Sequence, residues 1–576
     1  MKLFKYLKPY WIFAVLTPLL MIMEVFVDLQ QPALMSKIVD DGVLGGNLNV
    51  IVKTGFTMLG LLVLGVAGGA GSSATAGIAS QSFSNDLRKD VYDKVMSLSF
   101  EQTDKFTTGS LITRLTNDVT QVQELVSMVL RMFVRSGLMF AGGIIMTMSL
   151  SLEFTKVLLI ALPVQLVVII VFLSKATPLF GIVQKRLDKV NSVVQENVSG
   201  SRVVKAYVRE EYEKNRFSDA NNNLMNINLK VQKILATAMP VLMLIMNISV
   251  VAIIYIGGKQ VEAQNMQVGA IMASVTYATM IIMSLMMISN LFQGVSRARA
   301  SAKRIIEVLS TEPAIQSGEN TKTVQNGNIK FSNVNFHYPN FAGKPVLQNL
   351  NFEINAGETV AILGSTGSGK SSLVNLIPRF YDVTDGQITI DGIDVRDYDL
   401  NALRDSMGVV LQKNELFAGS ITENIRWGDG GAPFEKVRQA ALIAQADDFI
   451  SSFNNGYDTI IGEKGSSLSG GQKQRICIAR AIIRKPKILI FDDSTSALDL
   501  GTEARLQKAL RENLAGTTVI MIAQRVASVK NADKIIVLDK GTVSAIGTHD
   551  ELLKTSDVYQ DIYNSQMKKG DADNEQ

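Results

Sequence analysis

Six apolar stretches in the first half of the chain, each long enough to cross a bilayer, leave few folds open to it. They run from Trp11 to Val27, Thr54 to Ile78, Met132 to Leu150, Val157 to Leu173, Ile234 to Ile256 and Val268 to Phe292. A helix rises about 1.5 Å per residue, so about 20 mostly apolar residues cross the hydrocarbon core. Six in succession, with few charges inside them, argue against buried helices of a soluble protein. Gly65 and Gly69 are spaced to let the second stretch approach a neighbouring helix closely. Lys2, Lys5 and Lys8 precede the first stretch as in a secretory signal, but the run continues through Phe26 without a small-residue cleavage site, which reads as a retained span.

The spacing of these stretches sets their topology. Spans three and four are joined around Ser151 to Lys156, and spans five and six by Gly257 to Gln267. Spans two and three, and spans four and five, are instead separated by long polar stretches, Gln81 to Arg131 and Ser174 to Lys233. The second holds Lys185, Arg186, Lys189, Arg202, Lys205, Arg209, Lys214 and Arg216, which puts the long side in the cytoplasm. Both long connections carry helical apolar periodicity, as in Val183, Leu187, Val190, Val194 and Val198. They are expected to continue the spans as helices and to turn back near Phe106 to Ser110 and near Tyr207 to Glu211.

After Ser310 the membrane pattern ends, and from Gly327 strand patterns alternate with helical ones. Thr359 to Leu363 is a short apolar strand breaking into Gly364, Ser365, Thr366, Gly367, Ser368, Gly369, Lys370, Ser371 and Ser372. This is the Gly-x4-Gly-Lys-Ser phosphate loop, whose backbone N–H groups converge on polyphosphate at a helix start. Lys370 is suited to the outer phosphates and the Ser371 hydroxyl to Mg2+. Tyr338 ends an alternating strand and offers a ring on which adenine could stack, though such a residue is more often a plain strand aromatic. Gln412 follows the run Gly408 to Leu411, Leu468 to Gln472 opens an amphipathic helix, and Ile488 to Phe491 is a buried-strand run ending in Asp492 and Asp493. Lys plus Arg total 57 against 53 for Asp plus Glu, so charge gives no reason to expect nucleic acid as a partner. Cys477 is the only cysteine, which excludes an intrachain disulfide and a cysteine metal cluster.

The ordered set of Gly364 to Ser371, Gln412, Leu468 to Gln472 and Asp492 resembles the nucleotide-binding domain of ABC transporters. Six spans fused ahead of it resemble a bacterial ABC exporter half-transporter. The expected fold is therefore multi-domain: an all-α six-helix transmembrane domain with long cytoplasmic loops over 1–309, a linker over 310–326, an α/β P-loop ABC nucleotide-binding domain over 327–567, and a polar tail over 568–576. The resemblance implies ATP and Mg2+ as ligands, with Ser371, Gln412 and Asp492 around the metal. It also implies that Ser469, Gly470, Gly471 and Gln472 contact ATP held by a second subunit. The two cytoplasmic tips would be coupling helices, and Gly462 to Gly465 resembles the loop that meets them. Membrane lipids are the expected surroundings, in the cell membrane with the nucleotide-binding domain in the cytoplasm.

Two positions depart from the family pattern. The residue after the magnesium aspartate, normally Glu, is Asp493, and the switch position, normally His, is Gln524. Asp is one methylene shorter, and Gln cannot take up a proton near neutral pH. Both changes together point to a degenerate site that holds ATP and hydrolyses it weakly, and hence to pairing with a different, homologous half-transporter as a heterodimer. For cargo, Met272, Met280, Met283, Met286, Met287 and Phe292 in the sixth span, with Met21, Met23 and Phe26 in the first, suit a surface for amphipathic small molecules, though each Met alone is more often packing. Glu24 and Asp28 share a face and could attract cationic amphiphiles or sit at the interface. Multidrug-type export is the expectation; an ATP-gated channel or sensor, or export of lipid or peptide, stays open.

Overall fold

The computed structural model describes residues 2–339, 343–493 and 498–573, without the side chains of residues 2, 288–293, 296, 500 and 567–573. The Phe292 side chain, named above, lies outside that description. Contacts divide the chain into two compact units, Met1–Met96 with Thr108–Thr311, and Ser97–Thr107 with Glu312–Gln576.

In chain order the helices of the first half are α1 (Leu3–Leu44), α2 (Leu48–Ser97), the short α3 (Phe100–Phe106), α4 (Thr108–Leu150), α5 (Leu152–Ser199), the short α6 (Ser201–Ala206), α7 (Glu210–Glu262) and α8 (Val268–Ser310). The six long ones each contain a window apolar enough to cross a membrane. They also extend well past the apolar stretches, as the periodicity of the polar connections predicts. The turn between α4 and α5 is a single residue: Ser151 is extended and its hydroxyl accepts from the Glu153 N–H at 3.2 Å, an N-cap that starts α5 at once.

Gly65 and Gly69 do lie against α1. A Cβ on Gly65 would meet Val27 at 3.0 Å, and one on Gly69 would meet the Glu24 carboxylate at 3.1 Å. Glu24 and Asp28 are not a free acidic face, however. Arg135 of α4 reaches both, at 2.8 Å and 3.1 Å, so a side chain of the same unit neutralises one of the two charges offered to cationic amphiphiles.

The first cytoplasmic tip is longer than the turn expected near Phe106 to Ser110, which it includes at Thr107, φ +56°. The chain leaves α2 at Ser97 and re-enters α4 at Thr108, and α3 between them is a part of the second unit, not of the first 309 residues taken as one body. The reason is aromatic contact: Phe100, itself still exposed on its other side, packs on Phe380 with ring centroids 4.6 Å apart. The second tip, α6, lies near Tyr207 to Glu211 as expected and stays within the first unit.

The second unit carries β1 (Ile329–Phe336), β2 (Leu347–Ile354), β3 (Thr359–Gly364), α9 (Lys370–Leu376), β4 (Asp385–Ile390), β5 (Ile393–Asp394), β6 (Met407–Val410), β7 (Gly419–Ser420), β8 (Ile460–Ile461), α10 (Gly470–Ile482), β9 (Ile488–Asp492), β10 (Thr518–Ile522), β11 (Lys534–Asp539) and β12 (Thr542–Gly547). A six-stranded sheet runs in the order β12-β11-β3-β10-β9-β6, parallel except for β12 at its edge. Every residue of β9 and β10 is buried, as strands covered on both faces require. A second, antiparallel sheet has the order β2-β1-β4-β5. The last helix spans Asp557–Asp573, so regular structure continues into the segment expected as a polar tail.

Where α4 and α8 run past the membrane they are bolted together. The Asp118 side chain, 3% exposed, accepts from Ser301 Oγ at 2.8 Å and from Arg304 Nε at 2.7 Å, while Arg114 pairs with Glu307 at 3.0 Å and donates to the Arg304 carbonyl. Asp118→Ala removes a charged hydrogen-bond acceptor from buried Ser301, while Arg304, 46% exposed, can turn to water. The expected loss is about 1.5–3 kcal/mol, read as a lower unfolding midpoint of the purified protein, and Arg304→Lys should lose less than Arg304→Ala.

Candidate functional site

Strand β3 delivers the chain to the phosphate loop at the carboxyl edge of the parallel sheet, where open α/β sheets present their ligand crevices. Gly364 cannot carry a side chain: a Cβ there would stand 2.2 Å from the Leu538 carbonyl. Gly367 and Gly369 hold φ of +83° and +98°, conformations that bend the loop into its cup and that L side chains rarely adopt. Ser365, Thr366 and Gly367 form its exposed rim. Gly369 ends the loop and α9 begins at Lys370.

Lys370 Nζ donates to the carbonyls of Gly364 and Ser365, both at 2.8 Å, so the cation is folded across its own loop. Burial lowers the Lys370 pKa, against the opposing pull of Asp493 and Asp492. Ser371 Oγ donates to Asp492 Oδ1 at 2.8 Å, bringing the hydroxyl of α9 and the carboxylate ending β9 together. Burial raises the Asp492 pKa; the Ser371 hydrogen bond works against it, and the neighbouring Asp493 charge adds to it. Two features fit a polyphosphate with Mg2+. The buried Ser368 hydroxyl has no partner among the described residues, and Ser371 with Asp492 offers an all-oxygen donor pair of the kind Mg2+ takes. Bound Mg2+ would neutralise phosphate charge; Ser371 and Asp492 would hold it, and Gln412, exposed after β6, could join them.

Tyr338 is half-buried just after β1, and its hydroxyl lies 3.0 Å from the Ser372 hydroxyl on α9, which ties the ring to the loop. On α10, Ser469 is the N-cap. Its hydroxyl accepts from the Gln472 N–H at 3.4 Å and its N–H donates to Gln472 Oε1 at 2.9 Å, a capping box that leaves Gly470 exposed at the helix start. Contact of these residues with a nucleotide on a second chain stays an expectation.

Asp493 has a left-handed backbone, φ +48°, and its carboxylate accepts from Gln524 Nε2 at 2.7 Å. The two departures from the family pattern are therefore partners. Gln566 of the last helix braces the same loop, donating to the Gln524 carbonyl at 2.7 Å and accepting from the Val526 N–H at 2.8 Å. Neither histidine takes the switch position: His337 lies 3.1 Å from the Gly343 carbonyl and His549 bonds the Tyr559 hydroxyl at 2.6 Å.

Sequence reasoning missed Tyr381, Phe100 and Asp104, which connect Tyr338 to α3. The aromatics of Phe380-Tyr381 just past α9 were a visible signal, but nothing in their spacing says that residues some 280 positions earlier pack on them.

The family profile described as the ABC transporter transmembrane region matches residues 15–285, and that described as ABC transporter matches residues 347–496. An uncharacterized ABC transporter ATP-binding protein, YfiB of Bacillus subtilis, is 42% identical over 98% of this chain and 98% of its own length. An ATP-dependent lipid A-core flippase of Syntrophus aciditrophicus is 34% identical over 84% of this chain and 80% of its own. Among solved structures, a bacterial Atm1-family ABC exporter with ATP bound superposes with a TM-score of 0.80 at 25% identity, covering 97% of this chain and 98% of that one. A helical membrane unit with six candidate spans, joined to an α/β unit built around a phosphate loop, thus belongs to the ABC transporter family as an exporter half-transporter, a multi-pass membrane protein whose ATP-binding domain lies in the cytoplasm.

Proposed function

We propose that this chain is the degenerate-site subunit of a heterodimeric exporter, holding ATP in a site that hydrolyses it weakly and driving amphipathic small molecules out across the cell membrane. The observation that carries the weak-hydrolysis reading is the 2.7 Å hydrogen bond from Gln524 Nε2 to Asp493 Oδ2. A base that polarises water needs a free lone pair aimed at that water. Here the amide fixes one oxygen of the shorter carboxylate and so restricts how the other can be aimed, and the amide, unlike imidazole, cannot store a proton.

Two copies of this chain would combine two such sites. A partner carrying Glu and His would instead form one strong site, completed by Ser469 to Gln472 of this chain, and one weak site. Binding of ATP at both draws the nucleotide-binding domains together, and the long helices turn that closure into outward opening. The test is ATPase activity of the chain alone and with each candidate partner, the partner's catalytic Glu also being replaced by Gln. Activity that needs the partner and collapses on that replacement is expected; brisk hydrolysis by the chain alone overturns the asymmetric reading.

For cargo, Met239, Met243 and Met246 of α7 line a small cavity with Met283 and Met286 of α8. Thioether chains reshape around varied apolar groups, which supports an amphipathic cargo. With Glu24 and Asp28 sharing Arg135, one of their two negative charges is neutralised, which weakens any selection for cations there. Lipid is the second reading, favoured by relatives named lipid A-core flippases at 34% and 36% identity.

A further inference from the structure

Four aromatic rings and one carboxylate run in contact from the expected adenine platform to the helix that leaves the nucleotide-binding unit. The Tyr338 ring meets Tyr381 edge-on, centroids 5.2 Å apart at 86°. Tyr381 in turn lies 6.4 Å from Phe100 of α3, and Phe100 packs on Phe380 at 4.6 Å. The Tyr381 hydroxyl donates to Asp104 Oδ2, on the last turn of α3, at 2.8 Å. Burial raises the Tyr381 pKa and the Asp104 hydrogen bond raises it further, so the phenol keeps its proton and the bond to the carboxylate persists at neutral pH. The other end of α3 is held as well, since Ser99 Oγ accepts from the Ile315 N–H at 3.1 Å.

Beside Tyr381 is a cavity of about 400 Å³ bordered by Glu101, Ile315, Phe336, His337 and Phe380, which gives the Tyr381 ring room to shift. A close-packed interior would resist that shift; an adjoining void permits it. Tyr338 is fixed at its hydroxyl end by Ser372, so a base stacking on its face would change the ring's tilt, and the edge-on neighbour must follow.

We infer that Tyr381 is a positioning residue that relays adenine occupancy at Tyr338 to α3 through its ring contact with Tyr338 and its hydrogen bond to Asp104. This rests on the reading of Tyr338 as the adenine platform. The relay makes the base, and not the phosphates alone, the part of the nucleotide that α3 senses. Since α3 is joined directly to α2 and α4, it is one of the segments through which such a signal can leave the unit.

The test uses the full-length chain in lipid nanodiscs with a nitroxide at Lys105→Cys. Lys105 is exposed on α3, and Cys477, the only native cysteine, is buried, so labelling is confined to the new thiol. ATP is expected to change the label's mobility, while inorganic tripolyphosphate, at concentrations that displace a fluorescent ATP analogue, is not. Tyr381→Phe keeps the ring but drops the hydroxyl, and Asp104→Asn weakens the acceptor. Each should lose the ATP response at unchanged ATP affinity, and the double variant should do no worse than either alone. An equal response to tripolyphosphate, or a response retained in Tyr381→Phe, overturns the relay. If instead Tyr338→Ala binds ATP as tightly as the parent, the platform reading fails first, a result read from binding alone.

Discussion

Asp493→Glu together with Gln524→His is expected to raise ATP hydrolysis at this chain's own site by about 10²-fold, with ATP affinity nearly unchanged. The single changes should do much less than the pair. With Glu alone, the carboxylate gains one methylene of reach but the Gln524 amide, now 2.7 Å from Asp493, can still occupy one of its oxygens. With His alone, a group that can take a proton is restored, yet the base stays about 1 Å short, and misplacement of that size is itself worth about two orders of magnitude. Non-additivity is thus the signature of a site lost through two coupled positions. The measurement is single-turnover hydrolysis in the proposed heterodimer, with the partner's catalytic Glu replaced, so that only this site reports. The phosphate loop needs no repair, since Ser371 already meets Asp492 and Lys370 is in place. Turnover that does not move in the double variant would falsify the degenerate-site reading.

Much of this site was legible because its parts are local in sequence. The glycines of 364–369 write out a backbone path that other residues cannot follow, and the buried strands before and after them are continuous apolar runs. The six spans were legible for the same reason: an unbroken apolar length has one physical use. What the sequence hid is long-range pairing. Asp493 and Gln524 could be named as departures, but only the fold brings them into hydrogen-bonding contact across adjacent strands β9 and β10. Phe100 looks like any surface aromatic on a polar connection, and its contact with Phe380 moves α3 out of the membrane unit. Glu24 and Asp28 looked available because their partner, Arg135, sits more than a hundred residues away on another helix. Patterning tells which face of an element is buried. It is silent about which polar side chain meets which.

Arg135→Ala is expected to be among the most destabilising single changes in the membrane unit. Arg135 bridges Glu24 and Asp28, side chains 14% and 33% exposed, at 2.8 Å and 3.1 Å. Removing it leaves two carboxylates one turn apart on α1 with no cation between them, in a span where water is scarce. Breaking a fully buried pair in this one-sided way costs about 3–5 kcal/mol, and the partial exposure here places the expected loss at about 2–4 kcal/mol. Gly69 sharpens the effect, because a Cβ there would stand 3.1 Å from the Glu24 carboxylate, so at this point α2 presents bare backbone to it. The readout is the yield and unfolding midpoint of the detergent-purified protein. Arg135→Lys keeps the charge but can serve two carboxylates less well than a forked guanidinium, so an intermediate loss is expected. The triple change Arg135→Met, Glu24→Gln, Asp28→Asn removes every charge at once and should recover most of the stability that Arg135→Ala loses. If the triple variant is as stable as the parent and still transports, the triad is a helix clamp alone. If it is stable but transport falls, the exposed part of Arg135, 39% of its side chain, also faces the cargo path.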